Sequence, residues 1–148
     1  MKEVEAEIDI AAPATVVWEV LTDFPHYPDW NPLIRSIAGE LTFGERLVMT
    51  VQPAGCRPWT SHPKILHVAP HREILLQERL LLPGLLDVEQ AWLIEPSDGT
   101  FVRLCQRRRF SGLLLPLLRR LPDKILGGLE AMNRALKARA ESMAREAG

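Results

Sequence analysis

The chain has 148 residues, 47% of them hydrophobic and 25% charged, with a formal net charge of −1. Such a balance suits a globular chain that buries roughly 68–70% of its unfolded surface. It excludes intrinsic disorder and any global field for nucleic acid or an anionic membrane. Two cysteines, Cys56 and Cys105, are too few for a disulfide framework or a structural zinc site.

Residues 2–10 alternate Val4, Ala6, Ile8 and Ile10 against Glu3, Glu5, Glu7 and Asp9, which predicts a half-buried strand with a charged outer face. Pro13 suits the first turn of a helix that carries Val16, Val17, Val20 and Leu21 at helical spacing. Pro25, Pro28 and Pro32 then allow only a second short helix and a bend. From Leu33 onward the pattern is strand and turn, with strands expected at Ile34–Glu40, Glu45–Gln52, His62–Val68, Glu73–Leu80, Asp87–Glu95 and Thr100–Phe110. Their links, Phe43-Gly44, Ala69–Arg72 and Pro96–Gly99, are hairpin-length, so the strands are expected to run antiparallel. The last third changes period: Ile125, Leu129, Met132, Leu136, Ala140 and Met143 form an apolar stripe on one long helix, with Pro122 in its first turn. Gly127-Gly128 inside that helix either lets it flex or lets backbone approach the sheet closely. With no repeat or linker, residues 1–148 are expected to form a single domain. The start lacks a signal core and no apolar run nears the ~18 residues of a membrane span, so a cytoplasmic location without stable membrane insertion is expected.

The fold class that follows is α+β: a seven-stranded antiparallel sheet wrapped around a long C-terminal helix, with two short helices after the first strand. Ile10-Ala11-Ala12-Pro13, Val17-Trp18-Glu19-Val20-Leu21-Thr22-Asp23-Phe24 and Tyr27-Pro28-Asp29-Trp30-Asn31-Pro32 resemble the opening of the START-like (SRPBCC) superfamily, in its polyketide cyclase/dehydrase and lipid-transport branch. The resemblance implies a helix-grip, Bet v 1-like fold over essentially the whole chain. It does not single out a reaction, since the superfamily spans lipid carriers, hormone receptors, cyclases and ribosome- or chaperone-linked proteins. The same aromatics and prolines also have a purely structural use, bracing the short helices against the sheet.

Antiparallel order sends alternate connections to opposite ends of the sheet. One end receives short polar turns, whereas the other receives Pro53–Trp59, Leu80–Leu86 and Gly112–Leu118, which are rich in leucine. Apolar loops at one end call for an explanation. A mouth for an apolar ligand, gated by Trp59, Leu81, Leu85 and Leu115, is the leading one; a plug under the helix and a homodimer contact are the others. An elongated cavity is expected to run along the stripe from Ile125 to Met143.

Alternation places Leu76 and Glu78, then Gln90 and Trp92, then Leu104, Gln106, Arg108 and Phe110 on the face turned to the helix. Folding the strands back on one another brings Glu78, Gln90 and either Gln106 or Arg108 together. Buried carboxylate and guanidinium groups need partners, so a Glu78–Arg108 interaction, direct or through Gln90 or water, is the sharpest constellation. The residues expected to bind ligand are therefore Trp59, Leu76, Glu78, Leu81, Leu85, Gln90, Trp92, Leu104, Gln106, Arg108, Phe110, Leu115, Leu129, Met132 and Leu136. Relatives of this type commonly carry histidine at the position of Gln90 and an acid at that of Arg108. This sequence departs at both, so the resemblance carries no acid–base catalysis over.

The histidines show no metal spacing, and His62 and His67, five apart on one strand, are expected on opposite faces. Cys105 is expected to face outward among arginines that lower its pKa. Arg107 and Arg109 read as solvated charges rather than a nucleic-acid patch. The functional expectation is binding or transport of a small hydrophobic molecule, a lipid, polyketide or isoprenoid-like compound, with no metal or other cofactor. Alternatives are a cyclase or dehydratase using Glu78 or Arg108, and a protein-interaction module.

Overall fold

In the computed structural model, which describes residues 1–80, 82–97 and 101–147, two sheets wrap one side of a long helix. Strand β1 (Lys2–Ile10) leads into α1 (Ala14–Thr22), a turn of 3-10 helix (Phe24–His26) and the four-residue α2 (Tyr27–Trp30). Strands β2 (Ile34–Ala38), β3 (Val48–Val51), β4 (Trp59–Ser61), β5 (Lys64–Ala69), β6 (Glu73–Leu80), β7 (Leu86–Pro96) and β8 (Val102–Ser111) follow, and α3 (Leu121–Ala147) closes the chain. All the pairings are antiparallel, in the orders β1-β8-β7-β6-β5 and β2-β3-β4.

The expected strand total of seven in one sheet becomes a five-stranded and a three-stranded sheet. Pro63 is the reason. It lacks an N–H, so the run that begins at Trp59 breaks between Ser61 and Lys64. The sheets stay joined where Glu45–Leu47 passes beside Pro63–Ile65: the Leu47 N–H donates to the Pro63 carbonyl at 2.9 Å, and Ile65 N–H to Glu45 at 2.8 Å. A second irregularity, a register shift between Ile65 and His67, resets the alternation of β5. His62 and His67 are consequently both exposed, not on opposite faces.

The opening segment does the bracing its aromatics suggest. Tyr27 is fully buried, stacks edge-on with Phe24 and Trp30 at centroid distances of 5.6 and 5.1 Å, and donates its hydroxyl proton to the Leu21 carbonyl. Asn31 then accepts from the N–H groups of Leu33 and Ile34 at 2.9 and 2.8 Å, which turns the chain into β2.

Helix α3 buries Ile125, Leu129, Met132, Leu136 and Ala140 of the expected stripe, and Met143 at its end is partly buried. Its C-terminal half is tied to the end of β1: Lys137 donates to the Asp9 carbonyl at 2.7 Å, and Glu141 accepts from the Ala11 N–H at 2.8 Å. The glycine pair divides its roles. A Cβ on Gly128 would sit 2.5 Å from a Leu33 methyl, so any larger residue there would displace Leu33, whereas Gly127 faces open space.

Candidate ligand-binding site

A cavity of about 260 Å³ opens where the leucine-rich connections gather, between the ends of both sheets and the first turns of α3. That is just under the range of roughly 300–1,000 Å³ usual for small-molecule sites. The large sheet contributes Leu80, Leu86, Val88 and Phe110, and the small sheet Val51 and Trp59. Leu118, Leu121 and Ile125 form the helical side. Four polar side chains, Ser61, Glu78, Gln90 and Arg108, interrupt this apolar lining.

Register explains how those four meet. Gln90 lies directly opposite Arg108 on the neighbouring strand, and Glu78 lies opposite Val88, one inward-facing position along from Gln90. Ser61, on the last residue of β4, donates its hydroxyl to a Glu78 carboxylate oxygen and so links the two sheets beside the cavity. All four are buried. Glu78 and Arg108 make no ion pair within hydrogen-bonding distance: the carboxylate is engaged by Ser61, while Nε and Nη2 of Arg108 have no partner. The Gln90 Oε1 atom is likewise buried without a donor. Burial pushes the Arg108 guanidinium down to about 10, against which the charge of Glu78 pulls upward.

The outer face of the same strand behaves in the opposite way. Arg103, Arg107 and Arg109 pair with Asp9, Glu5 and Glu3 at 3.1, 3.0 and 3.3 Å. Cys105 faces outward as expected, but Glu5, Glu7 and their neighbours cover it. Desolvation, with help from the nearby Glu5, raises its thiol to about 12. The expectation of a lowered pKa is therefore reversed: burial outweighs the field of the arginines.

Of the residues expected to bind ligand, Trp59, Glu78, Gln90, Arg108 and Phe110 line the cavity. Leu76, Trp92, Leu104, Leu129, Met132 and Leu136 do not; they are packed into the core. Gln106 lies deeper, opposite Trp92, and donates to Asn133 of α3 at 2.6 Å. The cavity accordingly stops near Ile125 instead of following the stripe to Met143, because Trp92, Leu129, Met132 and Leu136 are packed into the core beyond it. Leu85 and Leu115 are half-buried beside the mouth without lining it, and Leu81 lies outside the described residues. Among the described residues, the most exposed leucines at this end are Leu113 and Leu117, each 80% accessible, and Leu82.

Val88 and Leu80, which also line the cavity, share by alternation the inward faces of Gln90 and Glu78, and Ile125 belongs to the stripe. Ser61 was missed because the short strand that carries it precedes a proline and shows no alternation of its own.

A family model described as polyketide cyclase/dehydrase and lipid transport matches residues 1–148. No curated protein is detectably similar in sequence. Among solved structures, the Zhui aromatase/cyclase from Streptomyces sp. R1128 superposes with a TM-score of 0.76 at 24% identity, over 99% of this chain and 98% of that one. A START superfamily protein from Mycobacterium smegmatis gives 0.73 at 21% identity, over 95% and 98%. A norcoclaurine synthase of Thalictrum, crystallised with a transition-state analogue, gives 0.73 at 20% identity, over 96% and 95%. At such identities the likenesses carry the fold and not an activity.

Proposed function

We propose, on the premise that this chain belongs to the polyketide cyclase/dehydrase and lipid transport family, that it binds a small, mainly apolar organic molecule in the 260 Å³ cavity. One polar group of that molecule is held beside Gln90 and Arg108. Family membership places the chain among proteins with ligand-binding or cyclase-type roles, and binding is the role that a cavity by itself supports. The observation that carries the reading is a mainly apolar hollow in whose wall Gln90 Oε1 and Arg108 Nε and Nη2 lack partners within the chain. Buried polar groups are normally satisfied, so a bound molecule supplies what the fold leaves open.

A cyclase or dehydratase is the second reading, favoured by one feature: a buried carboxylate, Glu78, held in place by Ser61 at the cavity wall. Geometry of this kind is one requirement for a general acid or base.

One experiment addresses both. Native mass spectrometry of the protein incubated with apolar small molecules should show a one-to-one adduct, and Val88→Trp, which fills the cavity, should abolish it while circular dichroism stays unchanged. An adduct that survives Val88→Trp would place binding elsewhere. A ligand released with its original mass supports carriage, whereas loss of water during incubation, suppressed in Glu78→Gln, supports the dehydratase reading.

A further inference from the structure

Arg108 is the one arginine of β8 that turns inward, and it is 4% exposed. Its three outward neighbours on the strand each have a carboxylate partner, and it has none. The nearest candidates within the chain are both unsuited. Glu78 is occupied by Ser61 and beyond ion-pair distance, and the Oε1 atom of Gln90, on the facing residue, accepts nothing from the guanidinium. The two unpartnered atoms are Nε and Nη2. Together they form one edge of the planar group, with two parallel N–H bonds that match the two oxygens of a carboxylate. A single carbonyl or hydroxyl satisfies only one of them.

We propose that the polar group read by Arg108 is a carboxylate, and that the ligand is an apolar monocarboxylic acid whose tail lies between Val88, Phe110 and Ile125. This rests on the cavity-binding reading above and specifies the class of ligand it takes. The size follows from the space: 260 Å³ is about nine times the roughly 30 Å³ that a water occupies in the liquid. An aromatic acid with a short alkyl tail therefore fits, and a longer chain would project through the mouth. A buried cation without a hydrogen-bonded counterion is unfavourable, so the ligand-free site is poised for an anion. Glu78 faces the same hollow and opposes a second carboxylate, which sets the orientation: the acid approaches the Nε–Nη2 edge, and Ser61 keeps Glu78 turned to itself.

The test uses three probes of one shape: 4-butylbenzoate, its primary amide and its benzyl alcohol. Calorimetry on the wild-type protein at pH 7 should show the acid binding roughly 10- to 100-fold tighter than either neutral probe, the worth of a charge-assisted hydrogen-bonded contact. In Arg108→Met, and in Arg108→Gln should the first variant not fold, that preference should vanish while the alcohol still binds. Equal affinities for the three probes in the wild-type protein would overturn the carboxylate assignment and leave cavity binding intact. Binding of none, or binding that survives Val88→Trp, would overturn both. A preference for the acid that persists in Arg108→Met and Arg108→Gln would remove Arg108 from the site.

Discussion

The space between the large sheet and α3 has two halves. Towards the C-terminal end of the helix, Leu129, Met132 and Leu136 are buried in one core with Trp92 and Leu104 of the sheet, and Lys137 and Glu141 fasten the helix to Asp9 and Ala11. Towards its N-terminal end, Leu121 and Ile125 face Val88, Gln90 and Arg108 across a hollow. Both halves carry the same strand alternation and the same helical stripe. They differ in what occupies the inward positions. Large apolar side chains meet in one half; in the other, a short valine and polar groups stand where leucine or phenylalanine would close the gap. A core fills when facing side chains add up to the volume between elements. Here the residues of the N-terminal half do not, and the polar ones cannot be covered by apolar contacts without losing hydrogen bonds.

Truncation should expose the difference most strongly. Leu136→Ala removes a fully buried side chain from the packed half and is expected to destabilise by about 2–5 kcal/mol. Leu86→Ala lies beside existing empty space, where fewer contacts are lost, and should cost about 1–2 kcal/mol. Urea titrations of the two variants give the comparison directly. Equal losses would mean that the hollow closes around its lining in solution.

Arg108→Met should act in the other direction, stabilising the ligand-free protein by on the order of 3 kcal/mol at pH 7, because it removes a cation whose desolvation the charge of Glu78 only partly offsets and which has no hydrogen-bonded partner. The sign of the pH dependence follows from linkage. The folded-state pKa of about 10 lies below the ordinary 12.5, so the penalty is fully present below pH 10 and is relieved as pH rises towards 12.5. The gain from the substitution should therefore shrink above pH 10. Denaturation midpoints of both proteins at pH 7 and pH 10.5 measure this. A variant less stable than wild type at pH 7 would show that Arg108 is satisfied within the ligand-free fold.

How far these halves can be seen in the sequence depends on the range of the interaction involved. The stripe from Ile125 to Met143 and the inward set Leu104, Gln106, Arg108 and Phe110 are local periodicities, and the fold keeps them. The division of β4 from β5 at Pro63 also has a local cause, though only pairing with Glu45–Leu47 shows that the sheets remain joined. The extent of the cavity has no local signature, since it depends on whether Trp92 from the sheet and Leu129 and Met132 from the helix reach one another. The same holds for Cys105. Its outward direction is legible from alternation, but its burial depends on which side chains of β1 lie over it, and register places Glu7 directly opposite. That Glu78 pairs with Ser61 rather than Arg108 rests on how the small sheet sits against the large one, which no spacing rule resolves.

The smallest expected effect on stability sharpens the comparison at the mouth itself. Leu113 and Leu117 are each 80% exposed on the connection between β8 and α3, and Leu118, next in the chain, lines the cavity. Replacing both exposed leucines with serine removes little buried area, so stability should change by no more than the roughly ±0.5 kcal/mol typical of surface substitutions. Their position gives them a different readout. If they gather an apolar ligand at the opening, the double variant should take up 4-butylbenzyl alcohol several-fold more slowly in stopped-flow fluorescence, with the final occupancy almost unchanged. Occupancy falling in step with the rate would place these side chains in the bound complex rather than on the path to it. A large loss of stability would make them part of the core, and the leucine-rich end would then be a plug. An unchanged rate would leave Leu82 and the half-buried Leu85 and Leu115 as the side chains past which the ligand enters.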